Sequence, residues 1–314
     1  MARIIFLLPF AKHEITGGIK TTYRHAELLA ELGFDAFVYQ PGGPPAWFET
    51  RAKLLTQLVP DPGDILVFPE SLNGPLMDMM RLEARKVLFC QAHYYTLFNA
   101  VAPETYRDLG FERAACQSTI AKGFLERVLG LSNIAVLPCF IDGELFLPRA
   151  KSMQIAAIPK KLPREAAAIQ KIFHLKYPGL AATRWEIIEG RSERETAEIF
   201  GRSAIVLSLP FLESFGLVPL EAMASGAIVV GFTGYGAQEY ANSQNGFWFP
   251  PDHLEEVADA LAQVITGLQT NDPQISKIRE TGFATAAVYS KDQTRAALKS
   301  FYGSLMQDRA GASA

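Results

Sequence analysis

The sequence predicts an α/β protein built from two Rossmann-like domains. Short apolar runs with the length of buried strands alternate with longer stretches of helical periodicity along the chain. A length of 314 residues suits two domains of about 150 residues each. Hydrophobic residues make up 49% of the chain, so each half can bury a core of its own. We therefore expect a first domain over residues 1–149 and a second over residues 150–290.

The first domain opens with a strand, a polar loop, a helix and a second strand. Residues 3–9 are an apolar run, and the loop over 10–18 leads into an amphipathic helix. Gly33 is placed to end that helix, because glycine readily adopts the left-handed conformation at a helix C-terminus. The next strand covers residues 34–39. This order is that of a Rossmann-like unit.

Two adjacent glycines, Gly17 and Gly18, stand at the entrance of the first helix. Glycines let the backbone approach a ligand closely, and a helix N-terminus favours an anion. The dinucleotide fingerprint G-x-G-x-x-G is absent, so NAD binding is not predicted. A ligand-binding loop and a simple turn both remain open. Lys20 and Arg24 follow one turn apart, either near that ligand or as solvated helix charges.

Polar loops follow two further strands, over residues 64–68 and 86–90. Ligands of open parallel sheets bind outside the carboxyl ends of the strands, so both loops are placed to line a binding site. The second loop carries His93, either as a ligand contact or as a histidine hydrogen-bonded within its loop. Strands over 114–118 and 134–138 complete the expected sheet.

The second domain begins with a strand over residues 153–158, followed by a basic loop and a helix. The loop contains Lys160, Lys161 and Arg164. Positive charge at the carboxyl end of a strand, at the entrance of a helix, indicates a phosphate site. A solvated basic turn is the alternative.

The most informative stretch is Glu213-Ser214-Phe215-Gly216-Leu217 with its continuation to residue 226, between apolar runs over 204–208 and 227–231. A helix beginning at Ser214 or Phe215 would present free N–H groups to an anion over the preceding loop. Glu221 would follow about two turns later. Two carboxylates around an anion site suit a ligand with central phosphates and hydroxyls at both ends, such as a nucleotide sugar. An ordinary βαβ unit with two surface glutamates is the alternative.

Glu213 and Glu221, separated by seven residues within ESFGLVPLEAMASG, resemble the signature of retaining glycosyltransferases of group 1. The resemblance implies the GT-B fold, in which two Rossmann-like domains flank an interdomain cleft and the last helix, about 291–314, packs on the first domain. It also implies a nucleotide-sugar-dependent hexosyltransferase that retains the anomeric configuration. A metal-independent reaction is expected, because the sequence has no Asp-x-Asp arrangement to hold a metal ion. No cofactor is expected.

The resemblance further implies roles for individual residues. Glu213 and His93 would contact the transferred sugar as catalytic residues, and Glu221 would bind the ribose. The Gly-Arg pair usual at the end of the first strand of the second domain is missing, so Lys160, Lys161 or Arg164 would hold the diphosphate, with Lys161 favoured. The remaining donor-binding residues would be Gly17, Gly18, Ser214, Phe215, Gly216 and Leu217.

Charge and cysteine spacing argue against two classes of function. A net charge of −3 does not indicate nucleic-acid binding, and the three cysteines lack the spacing of a metal site. We expect a cytoplasmic protein with possible peripheral membrane contact, since no apolar run reaches about 18 residues. The donor nucleotide (UDP, GDP or ADP) and the saccharide or other hydroxyl acceptor stay open. A sugar-nucleotide epimerase or hydrolase, or a non-catalytic nucleotide-sugar-binding module, would be compatible with the same motif.

Overall fold

The computed structural model describes residues 2–9, 14–98 and 102–312. The chain divides into two compact units, one formed by Met1–Cys139 with Lys291–Ala314 and the other by Phe140–Ser290. The second unit thus begins ahead of residue 150. The intervening segment bonds into that unit: Ile141 N–H donates to the Tyr289 carbonyl over 3.0 Å, and Arg149 N–H donates to the Gly201 carbonyl over 3.1 Å.

The first unit holds a parallel sheet. Its central strands are buried on both faces, as their continuous apolar sequences require. In the described part of the chain the strand order is β3-β2-β1-β4-β5-β6-β7. The strands are β1 Ile4–Leu7, β2 Ala36–Tyr39, β3 Lys53–Leu55, β4 Ile65–Pro69, β5 Arg85–Cys90, β6 Arg113–Cys116 and β7 Ile134–Val136.

Helices connect the strands of this sheet. Polar side chains begin two of them: Thr16 accepts the amide of Ile19 over 3.3 Å, and Ser118 accepts that of Ala121 over 3.1 Å. These side chains satisfy amides that a helix start leaves without intrahelical partners. The helices are α1 Gly17–Glu31, α2 Pro75–Met79 and α3 Thr119–Val128.

The second unit holds another parallel sheet, with the order β12-β11-β10-β8-β9 among the residues described. Helices pack against this sheet through a hydrophobic core that includes Ile205, Val230 and Leu261. Its strands are β8 Ser152–Ala157, β9 Arg184–Ile187, β10 Ser203–Ser208, β11 Ile228–Phe232 and β12 Phe247–Phe249. Its helices are α4 Pro163–Lys176, α5 Glu193–Arg202, α6 Leu217–Ala224, α7 Leu254–Gln269 and α8 Pro273–Val288.

The final helix, α9 Lys291–Ala312, belongs to the first unit. Arg295 and Lys291 both pair with Glu31 at the end of α1. The Thr294 hydroxyl donates to the Pro138 carbonyl over 3.1 Å, which joins the helix to the end of the first sheet. Residues 313 and 314 lie outside the described residues. Within residues 2–9, 14–98 and 102–312, none of the helices combines the length and the hydropathy of a membrane-spanning segment.

Each sheet has one place where the chain reverses the direction in which it adds strands. In the first unit this reversal lies between β1 and β4, and in the second it lies between β8 and β10. Loops that leave the carboxyl ends of two such strands diverge and open a crevice for ligands. The topology therefore directs attention to the loops after β1, β4, β8 and β10.

Candidate functional site

The reversal in the second unit brings together two of the residues singled out in the sequence. Lys161 lies in the loop after β8, and Glu213 lies in the loop after β10. Lys161 Nζ is 2.7 Å from Glu213 Oε1. The two side chains keep 43% and 22% of their surface exposed, so this ion pair stands at an open edge where solvent or a ligand can reach it.

The helix that follows Glu213 begins later than the sequence suggested. Its first residue is Leu217, not Ser214 or Phe215, and Gly216 is its N-cap with φ 80°. The left-handed conformation of Gly216 turns the chain sharply before the helix can start. The first-turn amides therefore belong to Leu217 and Val218, because Pro219 has no N–H. Ser214 and Phe215 precede the helix, and both are 2% exposed.

Gly216 is closely surrounded. A Cβ built on it would lie 3.3 Å from Glu213 Oε2 and 3.3 Å from the Tyr240 hydroxyl oxygen. That hydroxyl donates to the Gly216 carbonyl over 2.6 Å. The Tyr240 ring also packs edge-on against Phe215, with ring centroids 5.8 Å apart. These contacts fix the turn between Glu213 and α6.

Glu221 lies one turn into α6, nearer the helix start than the two turns expected, because the helix begins at Leu217. It is 6% exposed, so it is not a surface glutamate. Glu221 is therefore a buried side chain within α6, beyond its first turn.

The other two basic residues lie on either side of the Lys161–Glu213 pair in sequence. Lys160 precedes Lys161, and Arg164 lies in the first turn of α4 after Pro163. Both side chains are exposed. Lys161 is the basic residue of this loop that forms the ion pair with Glu213.

At the reversal in the first unit, Gly17 and Gly18 form the first turn of α1, next to the Thr16 cap. Residues 10–13 of the preceding loop lie outside the described residues. A Cβ built on Gly18 would be 3.5 Å from Gln91 Oε1, so the glycine lies directly against the loop after β5. The structure therefore brings the glycine pair and the loop that carries His93 together.

His93 lies at the start of a short 3-10 helix after β5. Its ring is 2% exposed and packs against the rings of Tyr94 and Phe124, with centroids 4.3 Å and 4.6 Å away. Burial lowers the pKa of His93 to about 4, so the imidazole is neutral at pH 7. The contact with a sugar stays a prediction for this residue.

Two polar side chains at the carboxyl ends of these strands are not among the site residues predicted from the sequence. Glu70 follows β4 directly and is 6% exposed, and Gln91 follows β5 directly. Gln91 N–H donates to Glu70 Oε2 over 2.9 Å. Their positions after adjacent strands were a usable signal, but the strand order needed to pair them is not written in the sequence.

The family model for glycosyl transferases group 1 matches residues 181–281, which include Glu213 and Glu221. This part of the chain is a group 1 glycosyltransferase domain. It lies inside the second unit and contains α6 with the turn before it.

Known proteins extend the likeness over most of the chain. An alpha-1,6-glucosyltransferase of Actinobacillus pleuropneumoniae serotype 7 is 26% identical over 270 residues, 82% of each chain. The sucrose-phosphate synthase of Thermosynechococcus elongatus has a TM-score of 0.72 at 13% identity, over 98% of this chain and 100% of that one. Anabaena HepE, solved with UDP-glucose, has a TM-score of 0.68 at 13% identity, over 97% and 100%. The expected GT-B fold and enzyme class are confirmed: the chain is a glycosyltransferase.

Proposed function

We propose that this glycosyltransferase moves a hexose from a nucleotide sugar to a hydroxyl group of a saccharide or other acceptor, with retention and without a metal ion. The observation that carries the proposal is the Lys161–Glu213 pair, set beside the start of α6 at the strand reversal of the group 1 domain. A cation, a carboxylate and helix N–H groups at one edge are the groups that an activated sugar diphosphate requires.

The leaving diphosphate is the first chemical problem of the reaction. Its negative charge grows as the bond to the anomeric carbon breaks. The amides of Leu217 and Val218 and the ammonium group of Lys161 would stabilise that charge electrostatically. Because these groups belong to the chain, this proposal gives no step to a metal ion.

Glu213 is the residue that would orient the transferred sugar. Before the donor binds, its carboxylate is paired with Lys161. The ion pair is partly exposed, and such pairs contribute about 0–1 kcal/mol, so a diphosphate can draw Lys161 away at small cost. The freed carboxylate then accepts hydrogen bonds from sugar hydroxyls, and Glu221 accepts those of the ribose. His93, Gly17 and Gly18 are proposed to contribute from the first unit, as the resemblance implies.

Retention requires the new bond to form on the face that the leaving group vacates. The bond between the anomeric carbon and the phosphate oxygen breaks, and a bond to the acceptor oxygen forms. The acceptor proton passes to the departing diphosphate. The positive charge that develops on the sugar ring lies next to the Glu213 carboxylate.

UDP-glucose is the first donor to test. The relative from Actinobacillus is named a glucosyltransferase, and HepE was solved with UDP-glucose. GDP- and ADP-linked sugars complete the panel. A donor that binds the folded chain raises its melting temperature by mass action, so a thermal-shift screen identifies the nucleotide before any acceptor is known.

The decisive experiment incubates the chain with the selected donor and a panel of saccharide acceptors, with and without EDTA. Proton NMR of the product should show the anomeric configuration of the donor, at a rate that EDTA leaves unchanged. An inverted product would contradict retention, and loss of the activity in EDTA would contradict metal independence. Nucleotide release without acceptor would favour a hydrolase, a changed donor sugar would favour an epimerase, and binding without turnover would favour a non-catalytic module.

A further inference from the structure

The first unit contains a buried acid that the proposed mechanism does not use. Glu70 directly follows β4, at the strand reversal, and is 6% exposed. A buried carboxylate is costly unless hydrogen-bond donors surround it. Burial raises the pKa of Glu70 to about 7, and backbone N–H groups oppose this rise. The backbone donors around the Glu70 carboxylate therefore indicate what this buried side chain does.

The donors come from the start of the loop after β5. Gln91 N–H donates to Glu70 Oε2 over 2.9 Å, and the amide of Ala92 also hydrogen-bonds the carboxylate, together with the amide of Glu70 itself. Ala92 immediately precedes the 3-10 helix that begins at His93. The carboxylate thus holds the two residues that lead into His93.

A second line of hydrogen bonds runs from the same loop to the glycine pair. Gln91 Nε2 donates to the Thr22 hydroxyl over 2.9 Å, and that hydroxyl donates to the Gly18 carbonyl over 3.0 Å. Gln117, at the end of β6, donates to Gln91 Oε1 over 2.5 Å. Gln91 is therefore fixed at both ends of its amide group, and its backbone is fixed by Glu70.

We propose that Glu70 is a positioning residue for sugar transfer: its carboxylate holds the Gln91–Ala92 backbone and, through it, both the start of α1 at Gly18 and the loop segment that presents His93. This inference rests on the proposed function. Glu70 touches no substrate in this scheme. It acts through residues that the resemblance places at the sugar and the phosphates.

Asp64 provides a matched control within the same strand environment. It directly precedes β4, at the end opposite to Glu70, and is 2% exposed. Its carboxylate also accepts a backbone amide, that of Arg3 over 2.8 Å, and pairs with the Arg3 guanidinium. The two acids thus share burial and amide contacts, but they lie at opposite ends of β4.

The test compares Glu70→Gln with Asp64→Asn in the full chain. Each variant keeps the size of its side chain but replaces one acceptor oxygen by an NH2 group, which cannot accept a backbone N–H. For Glu70→Gln we expect kcat for transfer to fall about tenfold, with a smaller loss of nucleotide affinity measured by calorimetry. For Asp64→Asn we expect a lower melting temperature but an unchanged kcat.

Hydrogen exchange of the Gln91 and Ala92 amides gives a readout that needs no activity. Exchange should accelerate in Glu70→Gln and stay at the wild-type rate in Asp64→Asn. If Glu70→Gln does not fold, Gln91→Ala tests the same chain of contacts further along, because it removes the link to Thr22 without disturbing the buried carboxyl group. It should lower kcat in the same direction.

The outcomes separate this inference from the proposed function. If the wild type transfers no sugar from any donor, the proposed function fails, and the exchange rates alone decide whether Glu70 holds the loop. Unchanged exchange at Gln91 and Ala92 would overturn the positioning role. So would a loss of kcat in Asp64→Asn equal to that in Glu70→Gln, since it would show that general destabilisation explains both.

Discussion

The two strand reversals of this molecule share a topology but differ in their electrostatics. In the second unit, Lys161 and Glu213 form an ion pair that is partly open to solvent. In the first unit, Glu70 and His93 are 6% and 2% exposed. Burial raises the pKa of Glu70 and lowers that of His93, so that it favours the neutral form of both side chains. An exposed pair changes partners at small cost, whereas a buried group is held by its surroundings. We infer that the ion pair in the second unit gives way to contacts with a ligand, whereas the buried groups in the first unit hold the loops in position.

The largest effect is expected at Glu213. Glu213→Gln keeps the shape of the side chain but removes the charge beside the developing positive sugar ring, so kcat should fall about 100-fold or more. Steady-state kinetics with the selected donor measures this. Glu189→Gln is the control, because Glu189 is an exposed acid in the loop after β9 of the same unit. Full activity of Glu213→Gln would remove the contrast between the two reversals.

The second test addresses the buried side of the comparison through pH. The folded pKa of Glu70, about 7, lies above its ordinary value of 4.5. The stabilisation by the bound proton is therefore fully present below pH 4.5 and is lost as the pH rises through 7. The variant Glu70→Gln lacks this loss, so its free energy of unfolding should gain about 3 kcal/mol relative to wild type between pH 4.5 and 8.

Urea denaturation at both pH values measures that difference. Asp64→Asn should show no such change over this range: burial works to raise the pKa of Asp64, but the hydrogen bonds from Arg3 outweigh it and leave the pKa lowered. The stability that Asp64 contributes is therefore fully present above pH 3.8 and is lost only as the pH falls below that value, so it stays constant between pH 4.5 and 8. A difference for Glu70→Gln that does not change with pH would contradict the raised pKa.

Gly216→Ala should disturb the exposed site through its backbone. At φ 80° an alanine is strained by about 1–2 kcal/mol, and its Cβ would press on Glu213 Oε2 at 3.3 Å. We expect lower stability and a several-fold loss of kcat. Gly179→Ala is the matched control, since a Cβ there meets no atom within 4 Å. If the two variants behave alike, the turn at Gly216 does not set the position of Glu213.

The last test concerns the binding of the donor by Lys161. Lys161→Ala removes a charge-assisted contact to a diphosphate whose charge grows as the bond breaks, so KM for the donor should rise and kcat should fall, together lowering kcat/KM about tenfold. Lys171→Ala, an exposed lysine further along α4, should leave both constants unchanged. Similar kinetics for the two variants would assign the diphosphate to another basic residue, and Lys160→Ala and Arg164→Ala would identify which one.

Much of the fold follows from local patterns. Strands such as Ile65–Pro69 and Ile228–Phe232 are continuous apolar runs, and α1 starts where Thr16 can cap it. The edge strands Lys53–Leu55 and Phe247–Phe249 were not predicted, because three residues carry too little pattern and depend on pairing with a neighbour. The start of α6 was misplaced for a related reason: the left-handed turn at Gly216 is decided by its contacts with Tyr240 and Glu213.

By itself, the sequence determined the fold class and the motif around Glu213, because strand length, helical period and a contiguous motif are local properties. The tertiary structure decided which basic residue meets Glu213 and which amides surround Glu70. Lys161 and Glu213 become neighbours because β8 pairs with β10, and Glu70 meets Gln91 because β4 pairs with β5. Strand order brings distant loops to one edge of a sheet, and no pattern within either loop encodes that order.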